Sequence, residues 1–120
     1  MLNQIVIVGR LTSNPEVVKS EEGKERSQIT LAVPRSYKNA DGEYDTDFVD
    51  CILWGGVAEN TAEYCHKGDI VGIKGRIQTN TYETESGEKK KSTQIVAEKV
   101  TFLSSSKNNE VEKSDDDLDM

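Results

Sequence analysis

The sequence has no cysteine pair, no long apolar run and no surplus of positive charge, and each lack argues against a class of protein. Cys51 and Cys65 stand apart without Cys-x-x-Cys spacing, and only His66 offers an imidazole, which argues against a zinc site. Two reduced thiols packed as small hydrophobes are the simpler reading. No segment approaches the ~18 apolar residues that span a bilayer, and the N-terminus lacks the basic start and apolar core of a secretion signal. A cytoplasmic protein without a membrane partner is expected. Gly-x-Ser-x-Gly, Walker and dinucleotide fingerprints are missing too, so no catalytic or cofactor motif is present, and neither an enzyme nor a bound cofactor is expected.

What remains is 120 residues, enough for one domain with a modest core. Hydrophobic residues make up 34% and charged residues 31%, a polar balance for a globular chain, and the polarity is uneven. From Ser104 to Met120 there is no aromatic residue, and that stretch reads as a disordered acidic tail behind a domain over residues 1–103. The net charge of −7 at first argues against a nucleic-acid partner. Six acidic groups against two lysines in the tail leave −4 there, and the body's 13 basic and 16 acidic groups leave −3. A body so near neutrality is able to present a basic groove if its cations cluster.

Along the body, period-two alternation dominates and predicts strands. The first run, Leu2 to Leu11, contains Ile5, Val6, Ile7 and Val8, then Gly9, which suits a bulge or bend. In Ser27 to Val33, Ile29, Leu31 and Val33 share one face. Tyr37 to Asp47, with Asp41-Gly42, reads as a long hairpin loop, and a strand follows from Phe48 to Trp54. Val57 to His66 has helical spacing, with Gly68 as its expected stop and His66 and Lys67 in its last turn, facing the macrodipole. Strand character returns at Asp69 to Ile77, with Val71, Ile73 and Ile77 of one parity. A polar hairpin from Gln78 to Glu85, a Ser86-Gly87 turn and a run from Lys89 to Phe102 complete the body. Three strands, a helix and two or more strands fit an all-β fold, the five-stranded OB Greek-key barrel with one helix between its third and fourth strands.

Specific residues carry a family resemblance. The opening Met1-Leu2-Asn3-Gln4-Ile5-Val6-Ile7-Val8-Gly9-Arg10-Leu11 with Asn14-Pro15-Glu16 resembles that of bacterial single-stranded DNA-binding proteins. So do Ile29-Thr30-Leu31-Ala32-Val33, Cys51-Ile52-Leu53-Trp54-Gly55, Ala62-Glu63-Tyr64 and Lys67-Gly68-Asp69. The likeness covers residues 1–103 in order and spacing. It implies sequence-nonspecific binding and protection of single-stranded DNA in replication, recombination and repair, and a homotetramer. It also implies four base-stacking positions, which fall on Tyr37, Phe48, Trp54 and Tyr82. The family often has tryptophan at the first, second and fourth, where this chain has smaller rings.

The residues bear on the same positions by themselves. Phe48, Asp50, Ile52 and Trp54 share one strand face. An unpaired Asp50 should not be buried, which assigns that face to the outside. Exposed rings on a barrel offer flat surfaces to unstacked bases. Core packing of Phe48 and Trp54 is the alternative on residues alone, and Tyr37 also fits a hairpin base or subunit contact. Phosphate contacts are expected from Arg10, Arg35, Lys74 and Arg76 on or beside strands; Lys89, Lys90 and Lys91 are weaker candidates, since short basic runs are often solvated turns. The acidic set Asp41, Glu43, Asp45, Asp47 and Asp50 raises a nuclease reading with bound Mg²⁺, but no base is spaced to serve it. An OB subunit binding protein in a replication or restart complex is the other alternative.

Family tails resemble Asp-Asp-Asp-Ile/Leu-Pro-Phe and dock on replication and recombination proteins. Here Asp115-Asp116-Asp117-Leu118-Asp119-Met120 keeps the carboxylates and has a thioether in place of the ring. Weakened or altered partner binding is the expectation.

Overall fold

The computed structural model describes residues 1–104, so the expectations for the acidic tail, Asp115 to Met120 included, lie outside the described residues. The chain forms β1 (Ile5–Leu11), β2 (Val18–Lys19), β3 (Glu25–Lys38), β4 (Tyr44–Trp54), α1 (Gly55–Tyr64), β5 (Ile70–Glu83) and β6 (Lys89–Ser104). The sheet order is β1-β5-β6-β4-β3, and β1 closes it by pairing Arg10 and Leu11 with Ala32 and Leu31 of β3. The result is a closed five-stranded OB barrel, with two-residue β2 as a ribbon on β3. That ribbon is why the helix lies between the fourth and fifth elements called strands.

Alternation fills the barrel as the sequence predicts. Ile29 and Leu31 of β3, Cys51 and Leu53 of β4, and Val71 and Ile73 of β5 are buried with Leu11 and Ala97, while Ala58 and Cys65 cover one end. Burial on one face explains why these strands hold a single register, because a one-residue slip would turn every apolar side chain outward. Gly75 marks a register shift between β5 and β6, and a Cβ there would collide with the Val96 carbonyl. Gly9 marks no shift in its pairing with β5; instead β3 approaches so closely that a Cβ would lie 2.9 Å from the Ala32 carbonyl oxygen.

Three expectations are corrected. Tyr37 to Asp47 is mostly strand, because β3 runs to Lys38 and β4 starts at Tyr44, whereas the polar hairpin expected after Ile77 is present, with Gln78 to Glu83 paired to β6. Both ribbons project without a buried face, so they lack the apolar alternation that reveals half-buried strands. The helix begins at Gly55 and ends at Tyr64, leaving His66 and Lys67 outside it. Their backbone N–H groups donate to Asp69 Oδ2 (2.7 Å) and Asn14 Oδ1 (2.7 Å), so they belong to a loop pinned by side chains and the macrodipole reading is withdrawn. Ile77 shares the parity of Val71 and Ile73 but is exposed, because β5 has left the barrel there.

Candidate nucleic-acid interface

The outer face of β4 is set by its buried one. With Cys51 and Leu53 in the core, Phe48, Asp50 and Trp54 must point out, and they do: Phe48 is 67% and Trp54 45% exposed. Asp50 is exposed and accepts a hydrogen bond from Thr30 Oγ1 at 2.6 Å. Ile52, on the same face, is nonetheless buried, because β6 crosses beside it and pairs Ile52 with Val96. The antiparallel register places Arg26, Gln28, Thr30 and Ala32 of β3 opposite Trp54, Ile52, Asp50 and Phe48. The same surface continues along the β5–β6 ribbon, where Gln78 and Asn80 lead to Tyr82, half exposed and opposite Lys90.

Three cations flank this surface, one at one end and two at the other. Arg10 lies opposite Ala32, which in turn lies opposite Phe48, so the three form a row across β1, β3 and β4. Arg10 Nη1 donates to the Gly68 carbonyl at 2.6 Å, which fixes the guanidinium while leaving its charge unneutralised. Val8, Arg10, Ala32, Pro34 and Thr46 line a depression of about 310 Å³ beside it. At the other end Arg26 sits over the Trp54 ring, 5.9 Å from its centroid, and Lys24 lines the hollow next to Trp54. Sequence reasoning missed Arg26 and Lys24; Arg26 shares the parity of Gln28 and Thr30, but its place over Trp54 depends on a register that the sequence does not state.

The other expected cations are dispersed. Arg35 lies on the opposite side of its ribbon, where Nη2 and Nε donate to Asp47 at 3.0 and 3.2 Å and Asp45 stands 3.8 Å from Nη1. That hydrogen bonding, then the charge of Arg35, holds the Asp47 carboxyl below its ordinary range. Arg76 pairs with Glu98 at 3.2 Å. Lys74 lies opposite Val6, four residues along β1 from Arg10. Lys89 and Lys91 lie opposite Glu83 and Thr81, on the reverse face of the ribbon from Lys90. Tyr37 is exposed near the β3 irregularity between Pro34 and Lys38, two residues along β3 from Arg35. The structure thus brings Phe48, Trp54, Tyr82, Arg10 and Lys90 onto one continuous surface and sets Tyr37, Arg35, Lys74, Arg76, Lys89 and Lys91 around or behind it.

The acidic set that raised a metal-dependent reading is also dispersed. Asp45 and Asp47 meet Arg35, Asp50 meets Thr30, and among the described residues no three His, Cys, Asp or Glu side chains converge on a metal position. The thiols lie in the core, and burial, helped by the charge of Asp50, pushes Cys51 up to about 11.

The family described as Single-strand binding protein family matches residues 2–103. The chain is 48% identical over 103 residues to Single-stranded DNA-binding protein B of Bacillus subtilis, spanning 86% of this chain and 91% of that one. It is 44% identical over 108 residues to Single-stranded DNA-binding protein 3 of Listeria innocua, spanning 90% and 68%. Single-stranded DNA-binding protein 1 of Lactococcus lactis is 43% identical over 107 residues, spanning 89% and 71%.

Proposed function

Because the chain belongs to the single-strand binding protein family, we propose that it binds and protects single-stranded DNA without regard to sequence, during replication, recombination and repair. The observation that carries this reading is the outward display of Phe48 and Trp54 on one strand of a closed barrel, with Tyr82 on the ribbon that extends the same surface. Apolar rings held half in water gain by covering their faces, and every base has a face to offer, whereas duplex DNA keeps its bases stacked on one another. Tyr37 extends the stacking surface along the β3–β4 ribbon. Arg10 and Lys90 meet the phosphates directly, and Lys74, Lys89 and Lys91 add charge around them. Arg35 and Arg76 contribute only where DNA displaces Asp47 and Glu98.

The protein acts as a homotetramer in the cytoplasm. In support of assembly, β1 bonds to β5 over Ile5–Arg10 but to β3 only at Arg10 and Leu11, so its edge from Ile5 to Gly9 lies open. Val6, Val8 and Leu103 expose apolar surface nearby, as an edge covered by another copy requires. Among the described residues no helix is long and apolar enough to cross a membrane. The acidic run from Asp115 to Asp119 would recruit replication and recombination proteins more weakly, or a different set of them, because Met120 stands where the family has a ring. Sedimentation of the DNA-free protein tests the assembly.

Trp54 is the only tryptophan, so its emission tests the binding mode. Saturating oligothymidylate is expected to quench it, and duplex of equal length to do far less. Unchanged emission while a mobility shift shows full binding would remove Trp54 from the interface; no binding at all would remove the function.

A further inference from the structure

The β3–β4 ladder carries a ring with a cation beside it at each end. At the barrel end, Arg26 lies opposite Trp54 with its guanidinium 5.9 Å from the ring centroid. At the ribbon tip, Lys38 lies opposite Tyr44 with its ammonium 5.9 Å from that ring's centroid. The irregularity between Pro34 and Lys38 adds its extra residues to β3, so β4 keeps its alternation throughout. Tyr44 therefore shares the outer face with Phe48 and Trp54, about 13 Å and then about 20 Å along one strand at roughly 3.3 Å per residue.

Tyr44 is 56% exposed, and packing gives no reason for a ring on a ribbon without a buried face. Lys38 has no ion pair among the described residues, whereas Arg35, the other cation of this ribbon, is held by Asp47 and Asp45 on the reverse side. A ring offers a base a surface that needs no particular sequence, and an ammonium beside it offers a phosphate its countercharge. Opposing charge exists, because Asp41 and Glu43 are exposed in the adjoining turn. Asp45 is turned to the other face, toward Arg35 and Asn39.

We propose that Tyr44 and Lys38 form a further nucleotide subsite, in which a base stacks on the Tyr44 ring face left open by Lys38 and the ammonium meets the adjoining phosphate. The subsite rests on the single-stranded DNA reading and lengthens its surface beyond Phe48 to the ribbon tip.

The probe is oligothymidylate of about 16 nucleotides, at the upper end of what one OB barrel engages. Tyr44→Ala is expected to weaken binding about 5- to 10-fold, the low end of a stacking contribution. Tyr44→Phe should stay within about twofold, Lys38→Gln should flatten the salt dependence, and Tyr44→Ala should lower the melting temperature by only the few degrees that a partly covered surface ring costs, as at Phe48, and not by the larger fall of a core aromatic. A direct readout places the only tryptophan at the subsite: in Trp54→Phe/Tyr44→Trp, saturating DNA should quench the emission. Unaltered emission at saturation by mobility shift, or wild-type affinity in Tyr44→Ala, overturns the subsite while leaving the function standing. Failure of the unsubstituted protein to bind oligothymidylate overturns both.

Discussion

Phe48 separates a binding ring from a packing ring more sharply than any other position. With 67% of its surface exposed, about a third is covered. A buried aromatic side chain removes roughly 200 Å² from water, so Phe48→Ala forfeits roughly 65 Å², or about 1.6 kcal/mol at ~25 cal/mol per Å². The unfolded chain already covers part of that area, which brings the loss nearer to 1 kcal/mol. For a domain of this size that corresponds to a fall in melting temperature of roughly 4–8 °C. A core phenylalanine would instead cost about 3–5 kcal/mol. On the DNA side, a stacked base contributes about 1–3 kcal/mol, which makes binding roughly 5- to 150-fold weaker. The two measurements are a thermal melt of the free protein and a titration with oligothymidylate at fixed salt. A stability loss above about 3 kcal/mol with unaltered affinity would refute the reasoning, because it would show Phe48 as a packing residue.

Asp47→Asn should release Arg35, raise affinity for single-stranded DNA at low salt and steepen the logarithmic salt slope by up to about 0.7, while Arg35→Gln alone should change affinity little; slopes measured from about 50 to 200 mM salt decide it. The same pair gives a pH signature. Its stabilisation is full above the unfolded Asp pKa of about 3.9 and is lost as pH falls through the depressed folded value, so acid melts of Asp47→Asn should lack that component. Gly75→Ala drives a methyl into the Val96 carbonyl and should destabilise the barrel by several kcal/mol, read by urea unfolding, in the manner of an overpacked core. Cys51, buried and pushed up to about 11, should resist alkylation at pH 8 until global unfolding, so labelling at the rate of solvent-exposed cysteine would contradict its placement.

How much of this was legible in the sequence depended on whether an element had a buried face. Ile29-x-Leu31 and Cys51-x-Leu53 announce barrel strands because alternate residues leave water, and the same alternation puts Phe48 and Trp54 outside. The β5–β6 ribbon from Gln78 to Glu83 buries neither face, so backbone pairing alone holds it and polar residues are tolerated throughout. Cation placement was less legible still. Arg35 and Arg10 look alike in sequence, but the β3–β4 register, with Val33 across from Asp47, sets Arg35 on the face of Asp47, while β1 closure sets Arg10 in line with Phe48.

The ribbons nonetheless left a trace in the sequence, at their turns. Ser20-Glu21-Glu22-Gly23-Lys24, Asn39-Ala40-Asp41-Gly42-Glu43 and Thr84-Glu85-Ser86-Gly87-Glu88 each begin with a short polar side chain and place glycine fourth. In each, the first residue's N–H donates to the fifth residue's carbonyl at 2.7–2.8 Å, and the glycine N–H returns to the first carbonyl at 2.8–3.0 Å. The first side chain accepts from the fifth N–H at 3.0–3.2 Å, and the glycines take φ of +80 to +88°. A turn that binds its own ends in this way sets the register of the two strands leaving it, so pairing propagates without apolar help. The turn at Asn39 therefore sets Lys38 across from Tyr44, and the one at Thr84 sets Tyr82 across from Lys90. At the ribbon tips, ring and cation are brought together by five-residue turns, and the core fixes only how the barrel carries them.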